Sequence, residues 1–142
     1  MIQVSVSGEI SAPVDALWKV IADFGAVGWM QGIDRVEVTG EGVGMVRAIY
    51  AGGGDTPVLE ELESLDEDAR RLGYTIPKNN PMPVSSYRAA ITAVDLGGGK
   101  SRLDWAASFD PAPGAEEAAA KATVEGMYGV LIGWVKAEVE GG

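Results

Sequence analysis

At 142 residues, 46% of them hydrophobic, the chain carries enough apolar material for the core of one domain without a disulfide or metal staple. It has neither cysteine nor histidine, which removes thiol nucleophiles, thiolate and imidazole metal ligands, redox switching and every triad built on an imidazole base. Its formal net charge of -10, with no local Lys/Arg cluster, repels phosphate backbones and anionic membrane surfaces, so no nucleic-acid partner is expected.

No apolar run approaches the roughly 18 residues of a membrane span, and Met1 to Val4 enter an alternating pattern with no signal-peptide character. A single domain over residues 1–142, without a membrane span and cytoplasmic, is therefore the expectation. The densest acidic run, Glu60 to Asp68, offers many carboxylates but lacks the spacing of a calcium loop. It reads as the solvated face of a strand entering a turn, and neither metal nor cofactor is expected.

In chain order, Gln3 to Ile10 alternates in the period of a half-buried strand, with Ile2, Val4 and Val6 on one face. Ser11 to Asp23 switches to helical spacing, with Val14, Leu17, Trp18 and Ile21 on one side, Ser11 or Ala12 as cap and Pro13 in the first turn. Phe24 to Met30 reads as a second short helix that bends the chain back.

Turn clusters at Gly40–Gly42, Gly52–Asp55, Asp66–Asp68, Pro77–Pro83 and Gly97–Gly99 then divide six strand-like runs. These are Ile33–Thr39, Met45–Ala51, Val58–Leu65, Arg71–Ile76, Val84–Leu96 and Lys100–Phe109. Connections this short make consecutive strands antiparallel neighbours, because a parallel crossover needs a dozen or more residues. After Asp110–Gly114, residues Ala115 to Glu138 read as a long helix. The order predicts an α+β fold: a curved antiparallel sheet wrapped around one long C-terminal helix, with a hollow between them. Successive turns alternate between the two ends of a meander, so Gly52–Asp55, Pro77–Pro83 and Asp110–Gly114 share one end. As the longest or most Pro/Gly-rich connections, they are expected to frame the mouth.

Alternation puts Trp105, Ala107 and Phe109 on the face toward the helix, and matches them with Tyr87, Ala89 and Ile91. On the helix, Thr123, Met127, Val130, Leu131 and Trp134 form one stripe. These residues read either as plain core or as cavity lining. Small residues among them, including Gly126, Gly129 and Gly133, favour a cavity or a close approach of sheet to helix. Arg47 shares parity with Ile49, and Glu60 with Val58 and Leu62, so both point inward on adjacent strands. They read as a structural ion pair or as the polar contact for a ligand head. Tyr74 and Tyr87 could donate to a ligand carbonyl, and Phe24 and Trp29 complete the ligand-facing set. Any acid–base chemistry falls to Glu60, Asp104, a Tyr or a Lys, with Arg47 stabilising an oxyanion; Glu60, Arg47 and Tyr87 are the catalytic candidates.

Taken together, Ser11-Ala12-Pro13-Val14-Asp15-Ala16-Leu17-Trp18, Gly44-Met45-Val46-Arg47, Glu60 to Asp66 followed by Arg70 to Tyr74, and Ser101-Arg102-Leu103-Asp104-Trp105 resemble one superfamily. It is the START/Bet v 1-like (SRPBCC) helix-grip class, in particular its bacterial polyketide cyclase/dehydrase-like branch. The resemblance covers essentially the whole chain. It implies a seven-stranded antiparallel sheet gripping the C-terminal helix, two short helices after the first strand, and a cavity for a lipophilic molecule. In the plant hormone receptors of this class the third connection acts as a gate and the fifth as a latch. Gly52–Pro57 and Pro77–Pro83 match those places but not those sequences. Members include carriers, cyclases and chaperone activators. The expected role is therefore binding or transport of a small lipophilic or aromatic molecule. The alternative is a cyclase or dehydratase acting without metal or His, and a third option is a protein-interaction module. The expected state is a monomer or weak dimer.

Overall fold

The computed structural model describes residues 1–141. Strand β1 (Ile2–Ile10) and helix α1 (Val14–Ala22) are followed by β2 (Ile33–Thr39), β3 (Val46–Ala51), β4 (Val58–Asp66) and β5 (Arg71–Lys78). The chain then forms β6 (Val84–Gly97), β7 (Lys100–Pro111) and α2 (Glu117–Gly141). All seven strands join one antiparallel sheet in the order β1-β7-β6-β5-β4-β3-β2. The six predicted runs form the meander. β1 completes it along the free edge of β7, from Ile2 opposite Phe109 to Ile10 opposite Ser101.

α1 buries Val14, Leu17, Trp18 and Ile21, the stripe its spacing predicts. Its cap differs from expectation. Pro13, in an extended conformation, is the N-cap with no side-chain bond, and its carbonyl accepts from Ala16 and Leu17 N–H. Ser11 serves elsewhere, its N–H donating to Glu140 Oε2 at 2.8 Å.

The second short helix expected over Phe24 to Met30 is absent. Two turns stand there instead, closed by Ala26 N to Asp23 O and Met30 N to Val27 O. Glycine costs a helix about 1 kcal/mol relative to alanine, and this short segment holds two, Gly25 and Gly28. Gly25 also serves packing: a Cβ there would lie 3.1 Å from Val38 Cγ2, so the bare backbone lets the segment rest on β2.

β6 carries a bulge between Ser85 and Arg88, with Ser86 at φ 53°. Strict alternation cannot turn both Val84 and Tyr87 inward, since they are three residues apart; the extra residue resets the phase and both are buried.

The interior is filled unevenly. α2 lies against β1 and β7, and α1 against β6 and β7. The helix buries Ala120, Val124, Tyr128, Leu131, Ile132 and Val135. This stripe is displaced from the expected one: Thr123 and Val130 are exposed, and Thr123 Oγ1 donates to the Ala119 carbonyl. Nor do the helix glycines admit the sheet. A Cβ at Gly126, Gly129 or Gly133 would meet nothing within 4 Å. The close approach is made by Gly8 of β1, where a Cβ would fall 2.6 Å from Ile132 Cγ2. Ser101 Oγ donating to Ala12 O and Lys136 Nζ donating to Glu9 O fasten the same corner. No helix among the described residues is long and apolar enough to cross a membrane.

Candidate functional site

Where α2 leaves the sheet uncovered, a cavity of about 220 Å³ opens between the helix and strands β3 to β7. Arg47, Ile49 and Ala51 line it from β3, Val58 and Glu60 from β4, and Tyr74 and Ile76 from β5. Tyr87 and Trp105 form its deep wall, Met127, Tyr128, Leu131 and Trp134 its helical side. Met30 to Ile33 and Pro81–Met82 close its end. A larger open groove of about 470 Å³ crosses the outer face past Ser5, Arg71, Arg88 and Ser108. No second layer encloses it, so it is not the candidate.

The end expected to carry the mouth does so in part. The β3–β4 and β5–β6 connections flank the cavity, and Asn79 Nδ2 donates to Pro57 O at 2.8 Å, tying one to the other. The β7–α2 connection stays away, and the Met30–Ile33 segment takes its place.

Arg47 and Glu60 face one another directly in the β3–β4 register and are both buried. Arg47 Nε donates to Glu60 Oε1 at 2.7 Å, and Nη2 lies 2.7 Å from the same oxygen. Nη1 donates to the Phe24 carbonyl at 2.8 Å, and the guanidinium sits 3.9 Å above the Phe24 ring. The cation is thus held by a carboxylate, a carbonyl and an aromatic face. Glu60 Oε2 has no hydrogen-bond partner among the described residues, on a side chain that lines the cavity.

Beside this pair runs a chain of phenols. Trp105 Nε1 donates to Tyr74 OH at 3.0 Å, Tyr74 OH lies 3.5 Å from Tyr87 OH, and Tyr87 OH pairs closely with Tyr128 OH. Burial pushes all three phenols above the ordinary tyrosine pKa; the Glu60 charge adds to the effect at Tyr74 and Tyr128. They are neutral donors and acceptors at physiological pH.

Of the residues singled out from sequence, Arg47, Ile49, Glu60, Tyr74, Tyr87, Trp105, Met127 and Leu131 come together around the cavity. Phe24 stands behind Arg47, and Trp29 packs edge-on against Trp105. Ile91, Ala107 and Phe109 are buried but do not reach the lining, Phe109 stacking on Tyr87. Thr123 faces outward, away from the cavity. Tyr128 was not among the expected residues. A tyrosine four residues after Val124 and four before Ile132 was the available signal for the buried face.

A seven-stranded antiparallel sheet curved around a long C-terminal helix, with a small cavity between them, defines the helix-grip fold. Residues 1–140 match the sequence model of the family described as "Polyketide cyclase / dehydrase and lipid transport", and the chain belongs to that family. No curated protein matches it. Among solved structures, an uncharacterized protein from Bacillus thuringiensis is similar at 24% identity and TM-score 0.85, covering 97% of this chain and 98% of that one. The Zhui aromatase/cyclase from Streptomyces sp. R1128 is similar at 21% identity and TM-score 0.76, covering 98% and 93%. Norcoclaurine synthase from Thalictrum flavum, in complex with dopamine and hydroxybenzaldehyde, is similar at 16% identity and TM-score 0.74, covering 97% and 86%. At these identities the likeness concerns the fold.

Proposed function

We propose that this protein binds a small lipophilic or aromatic molecule in the cavity between sheet and C-terminal helix. The observation that carries this reading is an apolar hollow of about 220 Å³ whose only charged lining among the described residues is one neutralised pair, Arg47 and Glu60. Such a space suits an apolar body with few polar contacts. Membership of a family that includes cyclases and lipid transport supports the same reading. The test is native mass spectrometry on gently purified protein, with extraction of anything bound, beside thermal shifts with a panel of aromatic compounds. A stoichiometric adduct or a saturable rise in melting temperature is expected, and both are expected to vanish in a folded Leu131→Trp variant that fills the space. The absence of both adduct and shift in the wild type would sink the proposal.

A second reading, a cyclase- or dehydratase-type enzyme, is favoured by one specific arrangement. Glu60 Oε2 has no partner within a site that also holds the hydroxyls of Tyr74, Tyr87 and Tyr128. A carboxylate so placed can take a proton from a bound carbon or hydroxyl acid, with Arg47 and a phenol facing the developing oxyanion. Turnover of a cyclisable aromatic substrate that persists in a folded Arg47→Met, Glu60→Gln double variant would remove this site from the chemistry.

A further inference from the structure

We infer that the cavity selects compact, neutral molecules of one or two fused rings that carry a hydrogen-bond donor, and discriminates against carboxylates and long acyl chains. The inference rests on the binding reading above and narrows it by size, charge and polarity.

Size comes from the volume. Benzene fills an apolar protein cavity of about 150 Å³. At about 220 Å³ and open on one side, the present cavity seats one ring or two fused rings, and most of a sixteen-carbon chain or a tetracyclic skeleton would have to lie outside it.

Charge comes from Arg47. Among the described residues it is the only cationic side chain lining the cavity, and its contacts go to Glu60 Oε1 and the Phe24 carbonyl. An incoming carboxylate would meet no unneutralised cation, would face the second oxygen of Glu60, and would lose its hydration in an apolar surround.

Polarity comes from Glu60 Oε2. It is an acceptor on a largely buried carboxylate, without a protein donor, on a side chain that lines the cavity. A ligand hydroxyl or N–H reaching it forms a charge-assisted bond, stronger than a neutral one. The tyrosine hydroxyls compete poorly for that donor, because they are already linked to one another and to Trp105.

The experiment is an NMR titration of the intact protein with naphthalene, 2-naphthol, 2-naphthoate and palmitate. It follows the indole N–H of Trp105, which lines the cavity. The expected order places 2-naphthol about tenfold or more tighter than naphthalene, as a hydrogen bond to a charged group requires. 2-Naphthoate and palmitate are expected to be weaker than 2-naphthol. In Glu60→Gln the advantage of 2-naphthol over naphthalene should shrink to a few-fold. The wild-type ranking stands as a test even where that variant fails to fold. Equal affinity of naphthalene and 2-naphthol, or tighter binding of 2-naphthoate or palmitate, overturns the inference while leaving the binding reading in place. Failure of all four probes to move the resonance removes both.

Discussion

The two halves of the sheet are built from similar strands yet have opposite interiors. Under β1, β7 and β6 both helices press down. Leu103, Phe109, Val124 and Val135 are sealed from solvent, and Gly8 gives up its side chain so that Ile132 can close in. Under β2, β3 and β4 no long helix packs, β2 is mostly exposed, and the space is bounded by an ion pair, loop residues and one edge of α2. A single straight helix can fill only one side of a curved sheet. The side it abandons is left as the cavity for which ligand binding is proposed, so the sealed core and the hollow occupy two regions of one interior.

The largest effect that probes this division is expected in alkali, because the phenols of Tyr74, Tyr87 and Tyr128 stand at the border of the two halves. Burial raises each folded-state pKa, so the unfolded chain loses these protons from about pH 10 while the folded one keeps them. The stability is fully present below that pH and is lost as pH rises above it, with a slope of up to about 4 kcal/mol per pH unit for three protons. Tyrosinate absorbance from these residues should appear together with the loss of circular dichroism. Ionisation in a chain that stays folded would mean the border is wet.

Arg47→Met comes next. It strands Glu60 in a largely buried position and should cost about 3 kcal/mol in denaturant unfolding, with part of that recovered when Glu60→Gln is added. Equal losses in the single and double variants would show that the pair is not coupled.

Two positions four residues apart on α2 sharpen the comparison further. Val135→Phe, on the sealed side, should lose about 1–3 kcal/mol through overpacking. Leu131→Phe, at a position that lines the cavity, should change stability by less than about 1 kcal/mol and weaken ligand binding. Similar costs at both sites would mean the cavity is closed in solution.

The smallest effects concern glycine and have opposite signs. Gly126→Ala, Gly129→Ala and Gly133→Ala each place a methyl in open space and should stabilise the helix by about 0.5–1 kcal/mol in thermal melts. Gly8→Ala drives a methyl against Ile132 and should destabilise.

What the chain disclosed before folding follows the strength of each local pattern. Runs bounded by Gly, Asp or Pro turns mark every strand of the meander within a few residues, and the turns with positive φ at Gly40, Gly52 and Gly97 leave few alternatives. Parity brought Arg47 and Glu60 together correctly, since a two-residue period leaves no intermediate phase. The long helix is less legible. Ala118 to Ala120, Ala122, Gly126, Gly129 and Gly133 give its faces little contrast, so the spacing places Thr123 and Val130 inward and does not single out Tyr128. The segment Phe24 to Met30 misled for a different reason. Its apolar residues are placed by tertiary packing, Phe24 against Arg47 and Tyr74 and Trp29 against Trp105, a demand that helical spacing does not encode.

The pairing of β1 with β7 bears on how the chain reaches this state. Ile2 finds Phe109 only after the whole meander between them has been made. At ordinary synthesis rates of about 5–20 residues per second, an apolar, alternating strand waits on the order of ten seconds for its partner. The β1–β7 pairing is a contact of high sequence separation, the kind that costs most loop-closure entropy and slows folding. During that interval β1 is an unpaired edge, open to pairing with a neighbouring chain. Crowded synthesis is therefore a condition that exposes β1 to mispairing before β7 exists to cover it.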